Sequence, residues 1–361
     1  MSALHQKRRG GSSARRAEDC ATSSRRPLAG QVAVVAGATR GAGRAIAVSL
    51  AESGATVYCT GRSVRGNTTG RPETIDETAE MCGARGIAVR CDHADENQVK
   101  ALFTRVRAEA GRLDILVNDT WGGDGFMEWG KPFWELSLEN VRAMLRSSVW
   151  AHVVTARLGV PLMIPQKSGL VVEVTDGDFL GYRGNFAYDL AKMGPIRLAH
   201  DMAHDLRPVG IAALAVTPGF LRSEAMLERL GVTEANWRDA AKQDPHFAHS
   251  ETPWFVGRAV VHLAADPQVL RKSGGVYASW TLAREYGFTD RDGSTPDWGS
   301  HWEGEIARIL AGGDARPGDR FLLRMRAFQI ELDPAKAGEL RRIRELLGNA
   351  AAAEGLPGDP S

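Results

Sequence analysis

The chain has 361 residues, 43% of them hydrophobic and 25% charged, with a formal net charge of +1. That length allows one large domain or two ordinary ones. The near-neutral balance argues against nucleic acid or an anionic membrane as the main partner, and no apolar run approaches the ~20 residues that a bilayer span needs.

The chain opens with "MSALHQKRRGGSSARRAEDCATSSRR", rich in Arg, Ser and Gly and nearly without large apolar residues. It cannot bury enough surface to offset chain entropy, so a disordered basic tail is expected over 1–29; it lacks the apolar stretch of a secretory signal. Cys20, Cys59, Cys82 and Cys91 form no CxxC pair and have no metal-type spacing. They read as incidental thiols of a cytoplasmic protein.

From Gln31 onward, short β-rich apolar runs alternate with helix-length segments. Strands are expected at 31–37, 56–60, 87–91, 113–118, 170–175, 211–216 and 274–279, with helices over 43–54 and 96–111 among others. The second helix has Asp95 as its cap and Gly111 at its end. The strands are near-continuous apolar runs, as strands covered on both faces require. The fold class is therefore α/β: a Rossmann-like, doubly wound parallel sheet of seven strands with helices on both faces, in one domain over 30–310. Residues 220–252 are too long for a simple crossover and read as a short helical lid. A C-terminal extension covers 311–361, where "RFLLRMRAFQIEL" suits strand or helix. After it, Leu340, Ile343 and Leu347 share one helical face.

"VVAGATRGAGRAIA" follows the first strand and opens a helix. Gly37, Gly41 and Gly43, with Thr39 and Arg40 between them, permit a tight turn and let backbone approach a pyrophosphate at the helix N-terminus. At the end of strand two an acid would accept the ribose hydroxyls of NAD; this chain has Thr60, Gly61 and Arg62 instead. The forked guanidinium of Arg62, with Arg40 as a second cation, suits a 2′-phosphate, so the expected cofactor is NADP(H).

"YDLAK" sets Lys192 one helical turn beyond Tyr188. A free phenol with a pKa of ~10 exchanges its proton poorly near neutrality, and a nearby cation brings it closer to useful range. His200 and His204 are spaced like a metal pair but have no evident third ligand, and "PHFAH" (245–249) reads the same way; no metal site is expected.

These motifs in this order resemble the short-chain dehydrogenase/reductase family over roughly 30–290, and within it the branch of dehydrogenase/reductase member one. "GATRGAG" resembles the family's cofactor loop, "CDHAD" (91–95) its adenine turn, "NDTWGG" (118–123) its asparagine-glycine motif, "YDLAK" its Tyr-x-x-x-Lys pair and "PGFLRSE" (218–224) its turn beside the nicotinamide. The resemblance implies Asp92, Asn118, Pro218, Gly219 and Ser223 as further cofactor positions, and Lys192 as a ribose contact. It implies Thr175, thirteen residues before Tyr188, in the place of a serine that orients the substrate oxygen. Ser148 stands where the family often has an asparagine that supports a proton-relay water. It also implies a homodimer or homotetramer, through the helices after strands four and five.

The leading expectation is an NADP(H)-dependent oxidoreductase that interconverts a carbonyl and a secondary alcohol, with Tyr188, Lys192, Thr175 and Ser148 as the catalytic set. The aromatic residues after strand four (Trp121, Phe126, Trp129, Phe133, Trp134), with Phe179 and Tyr182, point to a largely apolar small substrate. Two rivals are a nucleotide-binding sensor or scaffold that has lost its chemistry, and an epimerase or dehydratase on the same fold.

Overall fold

The computed structural model describes residues 26–179, 182–314, 316 and 318–353; Cys20 and most of the expected tail lie outside them. The seven expected strands are β1 Val32–Ala36, β2 Thr56–Gly61, β3 Gly86–Arg90, β4 Ile115–Asn118, β5 Gly169–Val174, β6 Ile211–Thr217 and β7 Val276–Ala278. They form one parallel sheet in the order β3-β2-β1-β4-β5-β6-β7. β1 pairs with β2 on one side and β4 on the other, Ala36 lying opposite both Thr60 and Asn118. Strand order reverses at that point, and the crevice outside the carboxyl ends of these strands is where such sheets bind ligands.

The helices are α1 Gly41–Glu52, α2 Ile75–Met81, α3 Glu96–Ala110, α4 Leu138–Leu145, α5 Ala151–Gly159, α6 Phe186–Leu206, α7 Glu224–Arg229, α8 Pro253–Ala265, α9 Ser279–Tyr286, α10 Trp298–Leu310, α11 Asp319–Ile330 and α12 Ala337–Ala353. On one face of the sheet, Ile46 and Leu50 of α1 and Phe255, Val256 and Val260 of α8 bury against strand residues that include Ala33 and Val35 of β1. On the other, Val99 and Phe103 of α3, Val154 of α5 and Leu206 of α6 do the same. Asp95 caps α3 by accepting from the amides of Asn97 and Gln98, and Gly111 ends it in the left-handed conformation, as its sequence implies.

α1 and α8 touch along small residues. A Cβ on Gly257 would stand 2.6 Å from Ser49 Oγ and 2.9 Å from the Ala45 carbonyl. Residues 220–252, expected as a lid, hold α7 and two short 3-10 turns, 237–242 and 245–249, joined by the buried Trp237, Ala240 and Phe247. "RFLLRMRAFQIEL" resolves as helix, in α11. α10, α11 and α12 share a separate core of Ile306, Ile309, Leu322, Leu323, Ile330, Ile343 and Leu347, so the boundary expected at 311 falls between two helices of one packed unit. Among the described residues no helix is long and apolar enough to cross a membrane.

Replacing Gly257 with Val forces α1 and α8 apart. It is expected to cost about 1–3 kcal/mol, as overpacking does, read as a lowered urea midpoint with an unchanged slope.

Candidate active site

The glycine turn is fixed by contacts that only glycine allows. Gly37 has φ +90°, and a Cβ there would stand 2.3 Å from the Asp119 carbonyl. A Cβ on Gly43 would stand 2.3 Å from the Gly37 carbonyl. The turn hangs on β2, since the amides of Gly37 and Ala38 both donate to the Thr60 carbonyl, at 3.0 and 2.9 Å. Arg40, extended at φ −158°, precedes the first turn of α1 without a side-chain cap. The Gly41 amide instead donates across the cleft to Glu224 Oε2, 2.9 Å away. An anion thus already sits at the N-terminus of α1, where a phosphate oxygen of a dinucleotide would be received. The cradle and its anion preference both fit such a cofactor.

One open cleft of about 1440 Å³ runs from this turn to the C-terminal helices. Gly37, Thr39, Arg40 and Gly41 line one end, with Arg62 and Asp92 from the ends of β2 and β3. Arg62 is exposed, and among the described residues it forms no ion pair; Arg40 lies 3.8 Å from Asp124. Asp92 Oδ1 accepts from the Ala94 amide at 3.0 Å, shaping the turn. Pro218, Gly219 and Ser223 line the opposite side, Ser223 also capping α7 through the Met226 amide.

Asn185 places the tyrosine. Its side chain caps α6 by accepting from the amides of Ala187 and Tyr188, 3.0 Å each, while its own amide donates to the Glu128 carbonyl at 3.0 Å. Tyr188 thereby enters the cleft from the first turn of α6, with Lys192 one turn below; both line it, as does Thr175 from the end of β5. The Tyr188 ring meets Trp121 edge-on at 5.7 Å and Trp129 at 5.6 Å. Lys192 Nζ rests 4.1 Å over the Trp121 ring and 5.6 Å from that of Tyr188. Burial lowers the lysine's pKa, opposed by the charges of Asp176, Asp119 and Asp124.

The hydroxyls have partners that the sequence did not reveal. Tyr188 donates to Asp176 Oδ2. Burial first, then the Asp176 charge and hydrogen bond, push its pKa well above the ordinary value of 10, with Arg183 opposing. Thr175 Oγ1 donates to the Lys192 carbonyl at 2.5 Å. Asp119, at the end of β4, is raised to about 7 by burial, against the pull of Lys192 and His152.

Gly43, Asn118 and Ser148 do not line the cleft. Gly43 is the packing contact behind the turn. Asn118 is fully buried; its amide nitrogen donates to Glu173 Oε1 at 2.7 Å, and the other Glu173 oxygen meets His152 Nδ1 at 2.6 Å. It joins β4 to β5 and α5. Ser148 sits in a π-helical turn, Arg146–Trp150, between α4 and α5, with Oγ donating to the Met144 carbonyl at 2.7 Å. α6 packs close to this turn: a Cβ on Gly194 would stand 2.5 Å from Val149 Cγ2. His93, which the sequence did not single out, bridges Thr60 and Thr155 at 2.7 and 2.8 Å, its pKa pushed down to about 3 by burial. Glu224 and the C-terminal helices also join the cleft. His200 and His204 meet each other, Nε2 to Nε2 at 3.4 Å. Among the described residues no three His, Cys, Asp or Glu side chains are placed to hold a metal.

The arrangement brings an anion-receiving glycine turn, a phenol and an ammonium to one cleft, over an aromatic wall. The profile described as short chain dehydrogenase matches residues 31–232. Mouse dehydrogenase/reductase SDR family member 1 is 38% identical over 275 residues, 74% of this chain and 85% of the mouse protein, and its human counterpart 36% identical over 271 residues, 74% and 85%. A short chain dehydrogenase from Mycobacterium thermoresistibile superposes with a TM-score of 0.63 at 23% identity, covering 75% of this chain and 92% of that one, which shows likeness of fold. The chain belongs to the short-chain dehydrogenase/reductase family, oxidoreductases that act on CH–OH and C=O groups with a nicotinamide cofactor.

Proposed function

We propose that this protein is an NADP(H)-dependent oxidoreductase that interconverts a largely apolar ketone and its secondary alcohol, with Tyr188 as general acid and base. The observation that carries this reading is the single cleft that holds the glycine turn, Tyr188 and Lys192 together. The bound nicotinamide cofactor supplies or accepts the hydride. Tyr188 gives its proton to the substrate oxygen as the carbonyl becomes an alcohol, and takes it back in the reverse direction. Thr175, by turning its hydroxyl from the Lys192 carbonyl, donates to the same oxygen and orients it. Lys192, drawn off the Trp121 face, contacts the nicotinamide ribose and offsets the negative charge of the phenolate. Ser148 is retained as a relay position, held in its π turn behind α6.

Arg62 supports the preference for NADP(H): a guanidinium fork without an ion-pair partner among the described residues, at the end of β2 and facing the cleft. Three buried thiols, Cys59, Cys82 and Cys91, suit a reducing cytoplasm. Exposed Phe133, Trp134, Leu138, Trp150, Phe186 and Leu190 around α4, α5 and α6 support a homodimer or homotetramer through those helices.

Tyr188→Phe is expected to keep cofactor binding and lose about 10²–10⁴-fold in turnover, measured by nucleotide titration and steady-state rates on one ketone; unchanged turnover sinks the assignment of Tyr188. Arg62→Ala should weaken NADPH binding by about tenfold or more, the loss of a charge-assisted hydrogen bond, and leave NADH nearly unaffected. Equal losses for both would return the arginine to the surface.

A pH dependence follows from Asp176. Burial opposes ionisation of Tyr188, as do the charges of Asp176 and Asp124, while Arg183 favours it. Alcohol oxidation needs the phenolate, so Asp176→Asn should move the rise of kcat/KM for oxidation to lower pH. A shift to higher pH would contradict this.

A further inference from the structure

The C-terminal helices show which part of the molecule reads the apolar body of the substrate, an inference that rests on the oxidoreductase reading above. α11 carries two apolar faces. Leu322, Leu323, Arg326 and Ile330 turn inward to α10 and α12. Arg326 fastens that side, with Nε donating to Glu339 at 2.6 Å and one terminal nitrogen to Glu303 at 2.9 Å. A helix held by one such face needs no second. Yet Phe321, Met325 and Phe328, spaced i, i+4 and i+7, form another on the opposite side.

That second face turns to the cleft. Phe321 and Met325 line it, and Phe321 is 61% exposed. The Phe328 ring packs edge-on against Tyr182 at 5.2 Å, six residues before Tyr188 on the segment that enters α6. Phe179 and Trp298 line the same space, and Trp129 and Trp121 continue it to the Tyr188 hydroxyl. The volume, about 1440 Å³, exceeds the ~300–1,000 Å³ of an ordinary ligand pocket. The cleft therefore has room for an extended body beside a dinucleotide.

We propose that the Phe321–Met325 face of α11 is the far wall of the substrate site, and that the substrate is an elongated apolar molecule with its ketone or secondary alcohol at the end that meets Tyr188. The occupant follows from the shared cleft: the phenol and the α11 face line one space, so what fills it is the rest of the molecule whose oxygen the phenol meets.

The test uses the full chain with NADP(H) and two methyl ketones, butanone and undecanone. Binding is followed by tryptophan emission, since Trp121, Trp129, Trp298 and Trp302 line the cleft, and turnover is followed separately. Undecanone should bind more tightly than butanone, and Phe321→Ala with Met325→Ala should lower the ratio of the two affinities by about tenfold. Met325→Trp, which narrows the trough from an exposed helix face, should lower it too. An unchanged ratio in both variants, or no chain-length preference in the native protein, overturns the wall. If neither ketone is turned over while the ratio falls as expected, the wall stands and the oxidoreductase reading is what fails.

Discussion

The cleft depends on the tight approach of Gly37 to the chain leaving β4. There is no room for even a methyl group between Gly37 and the Asp119 carbonyl, and this contact fixes where everything else in the cleft can be. It draws the first turn of α1 over the ends of β1 and β4, at the point where strand order reverses. It sets Asp119 within reach of Lys192 and brings Trp121 under the ammonium. Loosening the turn would separate the anion-receiving amides from the phenol, and neither alone is a reaction site.

The hydroxyl partners give the site a second layer of meaning. Tyr188 is bonded to a carboxylate and Thr175 to a backbone carbonyl, so both donors are occupied before any substrate arrives. Under the proposed reading, a carbonyl oxygen entering the cleft competes for these protons. A threonine in place of a serine stiffens this arrangement through its branched Cβ.

Much of this was legible in the sequence because it is local. Strands buried on both faces read as unbroken apolar runs, and the seven expected strands all form. The glycine turn and the Tyr188–Lys192 pair are spacings within a few residues. The unread parts depend on distance along the chain. Asn118, His152 and Glu173 meet only because β4, α5 and β5 stack, which takes Asn118 out of the cleft and into the core. Asp176 is adjacent to Thr175, but which side chain it faces is decided by the turn that carries Tyr188 back to it. The segment of α11 resisted assignment for a physical reason: apolar residues on two sides of a helix leave no clean period. Its second face makes sense only once the cleft is there to meet it.

Glu224 and Gly41 lie 183 residues apart in the chain and are joined by one hydrogen bond. The head of α1 therefore already holds a carboxylate at its first amide. A carboxylate at a helix N-terminus is worth about 0.3–1 kcal/mol. That carboxylate belongs to α7, whose Glu228 is tied to Arg71 at 2.7 Å and which follows Phe220, packed on Trp298 at 5.4 Å. Through Glu224 and Phe220 the segment between β6 and α8 thus ties the head of α1 to the C-terminal helices, two ends of the cleft that are far apart in the chain.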